Sequence, residues 1–359
     1  MISDRRSKVL PLVSLRGLFC IAIALFHSNV RIVFEQLAGC GVVFFFVMSG
    51  FFMALQHPAI SIEERYHKRY FLPKALRLYA IHWLALLLLL VIHFLFNTYD
   101  PHITWKAIVP NVLLLQSYFP DKEIFFSFNS VSWFLCSILC CYFCYPFLAH
   151  ALKSMRLKYR ILLMLALMAL YGVALYPIGS EDVITYTHVC PLLRLYEFAL
   201  GIVLGDLYHK LNGKIQEMSA ASATLIEAAA LALLALLVAA DLLHRDIFRS
   251  NYNDSYLWEI PSALVILAFM LTAGGKGLIG RALSWRPLVW LGGLSLELFL
   301  FQAIAGLVYN YVVSPVFGHF GMNIYPYYPI GLLPILVVLA WVVNRFFTTR
   351  VAAIIPVAR

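Results

Sequence analysis

Ten stretches of this chain are apolar for long enough to cross roughly 30 Å of hydrocarbon, with short polar clusters between them. They lie near residues 11–30, 38–55, 77–97, 130–150, 160–178, 190–208, 222–243, 257–273, 288–313 and 328–347, and each predicts a helix. An eleventh stretch, 104–119, sits between the clusters NTYDPH and PDKE and is shorter. It suits a helix lying in the interface or a re-entrant piece. The first run follows MISDRRSK but is long and ends in HSNVR rather than in small residues, so it reads as a retained span and not a cleaved signal. No repeat of fixed period and no low-complexity linker divides the chain, which predicts one membrane domain over residues 1–359.

Two residues interrupt the apolar pattern of the first run, Arg16 and His27. Eleven residues at 100° each end about 20° past three full turns, so both side chains share one helix face, roughly 16 Å apart along the axis. Ionisable groups inside a span usually face protein or water and are functional candidates by default.

Composition agrees with the pattern: of 359 residues, 62% are hydrophobic and 13% charged, which excludes an ordinary soluble domain and leaves an all-α integral membrane protein. With the N-terminus inside, 20 of the 27 Lys and Arg fall on the cytoplasmic side and five, Arg31, Lys106, Lys122, Arg245 and Arg249, on the other. That asymmetry predicts ten helices with both termini cytoplasmic. The net charge of +9 is then mostly topology and carries no expectation of nucleic-acid binding. The seven cysteines lie in or beside apolar runs, Cys136, Cys140 and Cys144 on one face, and read as free thiols acting as small hydrophobes. There is no paired Cys/His spacing for zinc, no Walker loop and no GxSxG elbow.

Arg16-x10-His27 followed by FFFVMSGFF at 44–52 resembles the opening of acyltransferase family 3, membrane proteins that O-acylate extracytoplasmic glycans and some lipids. FLPKALRLYAIHW (71–83), SWFLCSILCCYFCYP (132–146), RLYEFALGIVLGDLY (194–208) and LGGLSLELFLFQ (291–302) are similar, in order, to later motifs of that family. Ala80 replaces a usual proline, Ile138 stands where many members have a glutamate, and Gln302 replaces a common histidine. The missing glutamate points to the branch without a fused esterase-like domain. Gln302 argues against any mechanism needing a second histidine there.

The resemblance implies transfer of an acyl group, most often acetyl, from cytoplasmic acyl-CoA to a hydroxyl of an extracytoplasmic polysaccharide or its lipid-linked precursor, at a bacterial inner membrane. Acyl-CoA is then a donor substrate, no bound cofactor is expected, and the partners are the glycan acceptor and membrane lipid, with a homodimer left open. His27 is the expected base, because imidazole titrates near neutrality and can take the proton of an attacking hydroxyl. The alternative is a histidine that bonds a neighbouring helix. Arg16 is expected to bind the donor, to stabilise developing charge, or to pair with Glu197 or Glu297. Lys74 and Arg77, three apart at the start of the third span, are clamps for coenzyme A phosphates or residues that orientation requires. Arg194 and Glu197 form an expected internal pair, with Glu197 a remote candidate to polarise His27, and Glu297 is either structural or a cavity carboxylate. Ser49 with Gly50 offers a polar contact to substrate or a packing notch, and Gly201 with Gly205 a close helix approach. Trp133 and Tyr142 read as packing or interface anchors. A sugar transporter or lipid-linked glycan flippase would share this bundle, and would be marked by matching interrupted helices in two halves.

Overall fold

The computed structural model describes residues 2–30, 33–58, 70–98, 104–178, 180–212, 218–243, 255–272 and 276–355, and every regular element among them is helical. The principal helices are α1 (Ile2–His27), α2 (Phe34–Gln56), α3 (Leu72–Leu95), α4 (Trp133–Lys153), α5 (Leu157–Leu175), α6 (Pro191–Asn212), α7 (Ala220–Leu243) and α8 (Glu259–Leu271). Then follow α9 (Arg286–Gly293), α10 (Ser295–Leu300), α11 (Gln302–Val308), α12 (Tyr328–Val343) and α13 (Thr349–Ile354).

Among the described residues, seven helical stretches are long and apolar enough to cross a membrane: Val9–His27, Phe34–Gln56, Leu72–Leu95, Ser130–Lys153, Leu157–Leu175, Ala220–Leu243 and Tyr325–Ile354. The other three expected runs are helical but differ in kind. Arg194, Glu197, Asp206 and Lys210 make α6 more polar, Tyr256–Leu271 is shorter, and the run at 288–313 is interrupted into α9, α10 and α11. The stretch at 104–119 forms the eight-residue helix Trp105–Val112 and a turn at Gln116–Tyr118, too short to cross. Of the basic residues used for orientation, Arg31, Arg65, Lys68, Arg69, Lys214, Arg245, Arg249 and Arg359 lie outside the described residues.

Helices dominate because hydrocarbon offers no partner for a free N–H or C=O, so each segment must satisfy its own backbone. The outer surface matches that solvent: Phe94, Leu170, Val173, Leu225 and Ile330 are exposed and apolar. Inside, α2 is the axis of the bundle, with 83% of its span buried, whereas α5 lies at the edge with 6%. Buried polar side chains find partners between helices: Gln36 Nε2 donates to Asp241 at 2.9 Å, and Thr272 Oγ1 and the Gly280 N–H donate to Glu227 at 2.8 and 2.9 Å. The seven cysteines are free, as expected.

Two glycine crossings set the spacing. A Cβ on Gly50 of α2 would run into the Phe198 carbonyl of α6, and one on Gly201 into the carbonyl of Val47. Likewise a Cβ on Gly17 of α1 would stand 2.7 Å from the Gly292 nitrogen of α9, and one on Gly292 would run into the Val13 carbonyl. Backbones therefore meet at both crossings, as small residues allow. Gly201→Leu is expected to cost about 1–3 kcal/mol or to prevent assembly, whereas Gly318→Ala, with nothing within 4 Å of the added carbon, leaves stability unchanged. Thermal melting of the detergent-solubilised protein, followed by size exclusion, checks both.

Candidate functional site

Arg16 and His27 both face the interrupted α9–α11 run. Arg16 donates through Nε to Ser295 Oγ at 3.0 Å and through Nη2 to the same oxygen, and Cys20 Sγ donates to the Ser295 carbonyl at 3.2 Å. His27 Nδ1 lies 2.9 Å from Gln302 Oε1. The end of α1 is fixed by its C-cap: Val30 N–H bonds the Leu25 carbonyl and Asn29 N–H that of Phe26, both at 3.1 Å, with Asn29 at φ 66°. This is the left-handed termination that asparagine tolerates, and it holds His27 in the last turn.

The partners of Arg16 and His27 follow two breaks of the same shape. Leu294 (φ −93°, ψ 6°) precedes Ser295, and Phe301 (φ −98°, ψ 7°) precedes Gln302. At the second break, side-chain amides serve the local carbonyls: Gln302 Nε2 donates to Phe299 O and Asn129 Nδ2 to Leu300 O, both at 2.9 Å. Non-helical backbone at membrane depth needs such partners.

Between these levels lies a cavity of about 190 Å³. Its polar end carries Arg16, Ser49, Tyr142 and Ser295, with Ser49 hydrogen-bonded to Tyr142. Met48, Leu78, Ile138 and Leu296 continue the wall, and Phe45, Phe134 and Phe299 cluster at the other end with ring centroids 5.1–6.5 Å apart. Beyond that cluster stands the Gln302–His27 pair, reached through the Phe299 carbonyl.

The family model described as "Acyltransferase domain", that of acyltransferase family 3, matches residues 13–345. The chain belongs to that family. No curated protein and no solved structure matches it.

The other expected site residues of this acyltransferase divide. Ser49 lines the cavity, while Gly50 beside it is a packing notch against α6. Lys74 reaches its border, with Nζ 5.4 Å from the Tyr142 ring centroid and 5.3 Å from that of Tyr70. Arg77 turns away, its Nε and Nη2 donating at 2.8 Å to the carbonyls of Ile355 and Ala352 at the end of α13. Arg194 pairs with Glu197 as expected, bonds the His188 carbonyl at 2.7 Å, and rests over Phe46 and Trp133. Neither member of that pair lines the cavity, and the side chain on His27 Nδ1 is Gln302, not Glu197. Glu297 accepts from Asn344 Nδ2 at 2.9 Å, which ties α10 to the last helices, and Arg16 bonds Ser295 rather than either glutamate.

Sequence reasoning missed Cys20 and Ser295, read Tyr142 only as packing or an anchor, and took Gln302 only as a departure from a common histidine. For the first two the one signal was position. Cys20 follows Arg16 by one turn, and Ser295 and Gln302 stand seven apart in the motif at 291–302.

The division between Lys74 and Arg77 makes separate expectations. Arg77→Ala loosens the C-terminal helix, costing about 1.5–3 kcal/mol for charged hydrogen bonds, and leaves the donor KM unchanged. Lys74→Ala raises the donor KM without lowering the melting temperature. Limited proteolysis beside a donor titration tells the two apart.

Proposed function

We propose that this acyltransferase moves an acyl group, acetyl in the simplest case, from cytoplasmic acyl-CoA to a hydroxyl of an extracytoplasmic polysaccharide or its lipid-linked precursor, with His27 as general base. In this reading the protein sits in a bacterial inner membrane with ten crossing helices and both termini cytoplasmic. The tenfold crossing draws on the helical state of all ten apolar runs and on the distribution of basic residues.

The observation that carries the proposal is the cavity between Arg16 and the phenylalanine cluster, directed toward His27. Its mostly apolar wall suits an acyl chain and the adjoining thioester, and its polar end suits the amides of the donor arm. Geometry also narrows the role of Arg16. The partners of Arg16 and His27, Ser295 and Gln302, are seven residues apart, or roughly 10 Å along the interrupted helix. Since a hydrogen bond spans only about 3 Å, one carbonyl oxygen does not touch both. This separation supports a reading in which Arg16 binds the donor and His27 works at the reacting end.

In the step itself the acceptor oxygen attacks the thioester carbon as its proton passes to His27. The tetrahedral intermediate collapses, the C–S bond breaks, and the imidazolium returns the proton to the departing thiolate of coenzyme A. The product is an ester, and the histidine ends neutral. The imidazolium formed midway lies at the C-terminus of α1, where the partial negative charge of the helix end favours it. For the acyl group to arrive there, the rings of Phe45, Phe134 and Phe299 turn aside.

The transport reading gains less support. Transport folds pair interrupted helices in their two halves, whereas α2 runs unbroken through Ser49 and Gly50, and the paired breaks both fall in the one run at 286–308.

The test is transfer of label from acetyl-CoA to surface glycans by membranes holding equal amounts of wild type or His27→Ala. The expected loss is about 10²–10⁴-fold, the range of a general base. Unchanged transfer removes His27 from the chemistry, and no transfer from any acyl-CoA rejects the reaction. A smaller cavity in Ile138→Trp is expected to favour acetyl over longer acyl groups in the same assay.

A further inference from the structure

We propose that Gln302 is a positioning residue that holds His27 in one tautomer, with the proton on Nδ1 and the lone pair on Nε2. The catalytic consequence rests on the acyl-transfer reading above, but the tautomer follows from hydrogen bonding alone. A carboxamide has one end that donates and one that accepts. The donating end of Gln302 is committed, because Nε2 faces the Phe299 carbonyl at 2.9 Å and a carbonyl only accepts. Turning the amide over would set two oxygens against each other there. The end toward His27 is thus Oε1, 2.9 Å from Nδ1, and an oxygen without a proton requires that Nδ1 carry one. Nε2 is then the basic nitrogen.

The surroundings hold the amide in place. Gln302 is 5% exposed, and it begins α11 directly after the break at Phe301. Asn129 donates to the neighbouring Leu300 carbonyl while Gln302 donates to that of Phe299, so two side-chain amides serve adjacent carbonyls at the break. On the other side, the C-cap of α1 at Asn29 fixes the turn that carries His27. Both partners of the bond sit at helix ends fixed by backbone geometry rather than on flexible loops.

A glutamine here also changes the proton count. A histidine in this place would share its proton with His27, and the two rings would titrate as a coupled pair. The carboxamide has no titrating proton in this range, so no proton is shared across this bond. The departure at position 302 therefore supplies an orienting acceptor for His27 and not a second titrating ring on its Nδ1.

The experiment is ¹⁵N NMR of histidine-labelled protein in lipid nanodiscs, with His27→Ala identifying the His27 signals, for wild type, Gln302→Met and Gln302→Glu. Ring-nitrogen shifts report which nitrogen is protonated, whether or not the protein is supplied with substrates. The expected result is Nδ1–H in the wild type and in Gln302→Glu, which keeps an acceptor, and loss of that preference in Gln302→Met. A protonated Nε2 and bare Nδ1 in the wild type, or a Gln302→Met spectrum matching the wild type, overturns the proposal. In the transfer assay, Gln302→Met is expected to lower kcat by about tenfold or more with the donor KM within about twofold, and Gln302→Glu to restore part of it. If the wild type shows the expected tautomer but transfers no acyl group, the reaction fails and the positioning of His27 stands.

Discussion

The arrangement depends on two places where helix backbones touch. At Gly50 and Gly201, and again at Gly17 and Gly292, no room exists for even one carbon beyond the backbone. Lipid tails are as apolar as leucine, so helices in a membrane gain little from burying apolar side chains and instead gain from close approach. The consequence is local: Arg16 directly precedes Gly17, Ser49 directly precedes Gly50, and Ser295 lies one turn beyond Gly292. The polar end of the cavity is thus built from residues whose neighbours are in backbone contact, and its dimensions are fixed by contacts that do not compress.

The interrupted run gives the site its second fixed reference. A break releases backbone groups that hydrocarbon does not solvate, and here side chains receive them: Gln302 and Asn129 at one break, and Cys20 on the Ser295 carbonyl after the other. Gln302 is also the partner of His27, and the Ser295 hydroxyl that of Arg16. Stabilising the break and placing the chemistry are one set of hydrogen bonds, so removing a member affects both.

Much of this was legible in the chain. Apolar run length located the helices within a few residues, and the 100° repeat put Arg16 and His27 on one face, where both indeed meet the same interrupted run. The i, i+3 spacing of Arg194 and Glu197 announced their pairing, and Gly201 a close approach. What stayed hidden depends on partners far away in sequence. Gly292 and Gly293 hint at the first break but nothing local at Phe301 marks the second, and partners that stabilise the breaks also come from α1 and from the loop before α4. Arg77 and Lys74 look alike at the start of a span, and only the position of α13 separates a helix cap from a cavity-border lysine. Gln302 looked like a missing histidine because a residue's type tells what it can titrate, not what it can hold.

The cluster of Phe45, Phe134 and Phe299 has a meaning for the cell as well as for the substrate. A protein that joins the two faces of an energised membrane risks becoming a leak, because a continuous thread of water conducts protons. Three aromatic rings with centroids within 6.5 Å of one another present apolar faces to such a thread. An apolar constriction of this kind excludes water by dewetting while an oily chain can still push through. In the acyl-transfer reading proposed above, the passage is selective for what it carries without any ion-binding group, and the rings that stand between the cavity and the histidine oppose a leak of protons.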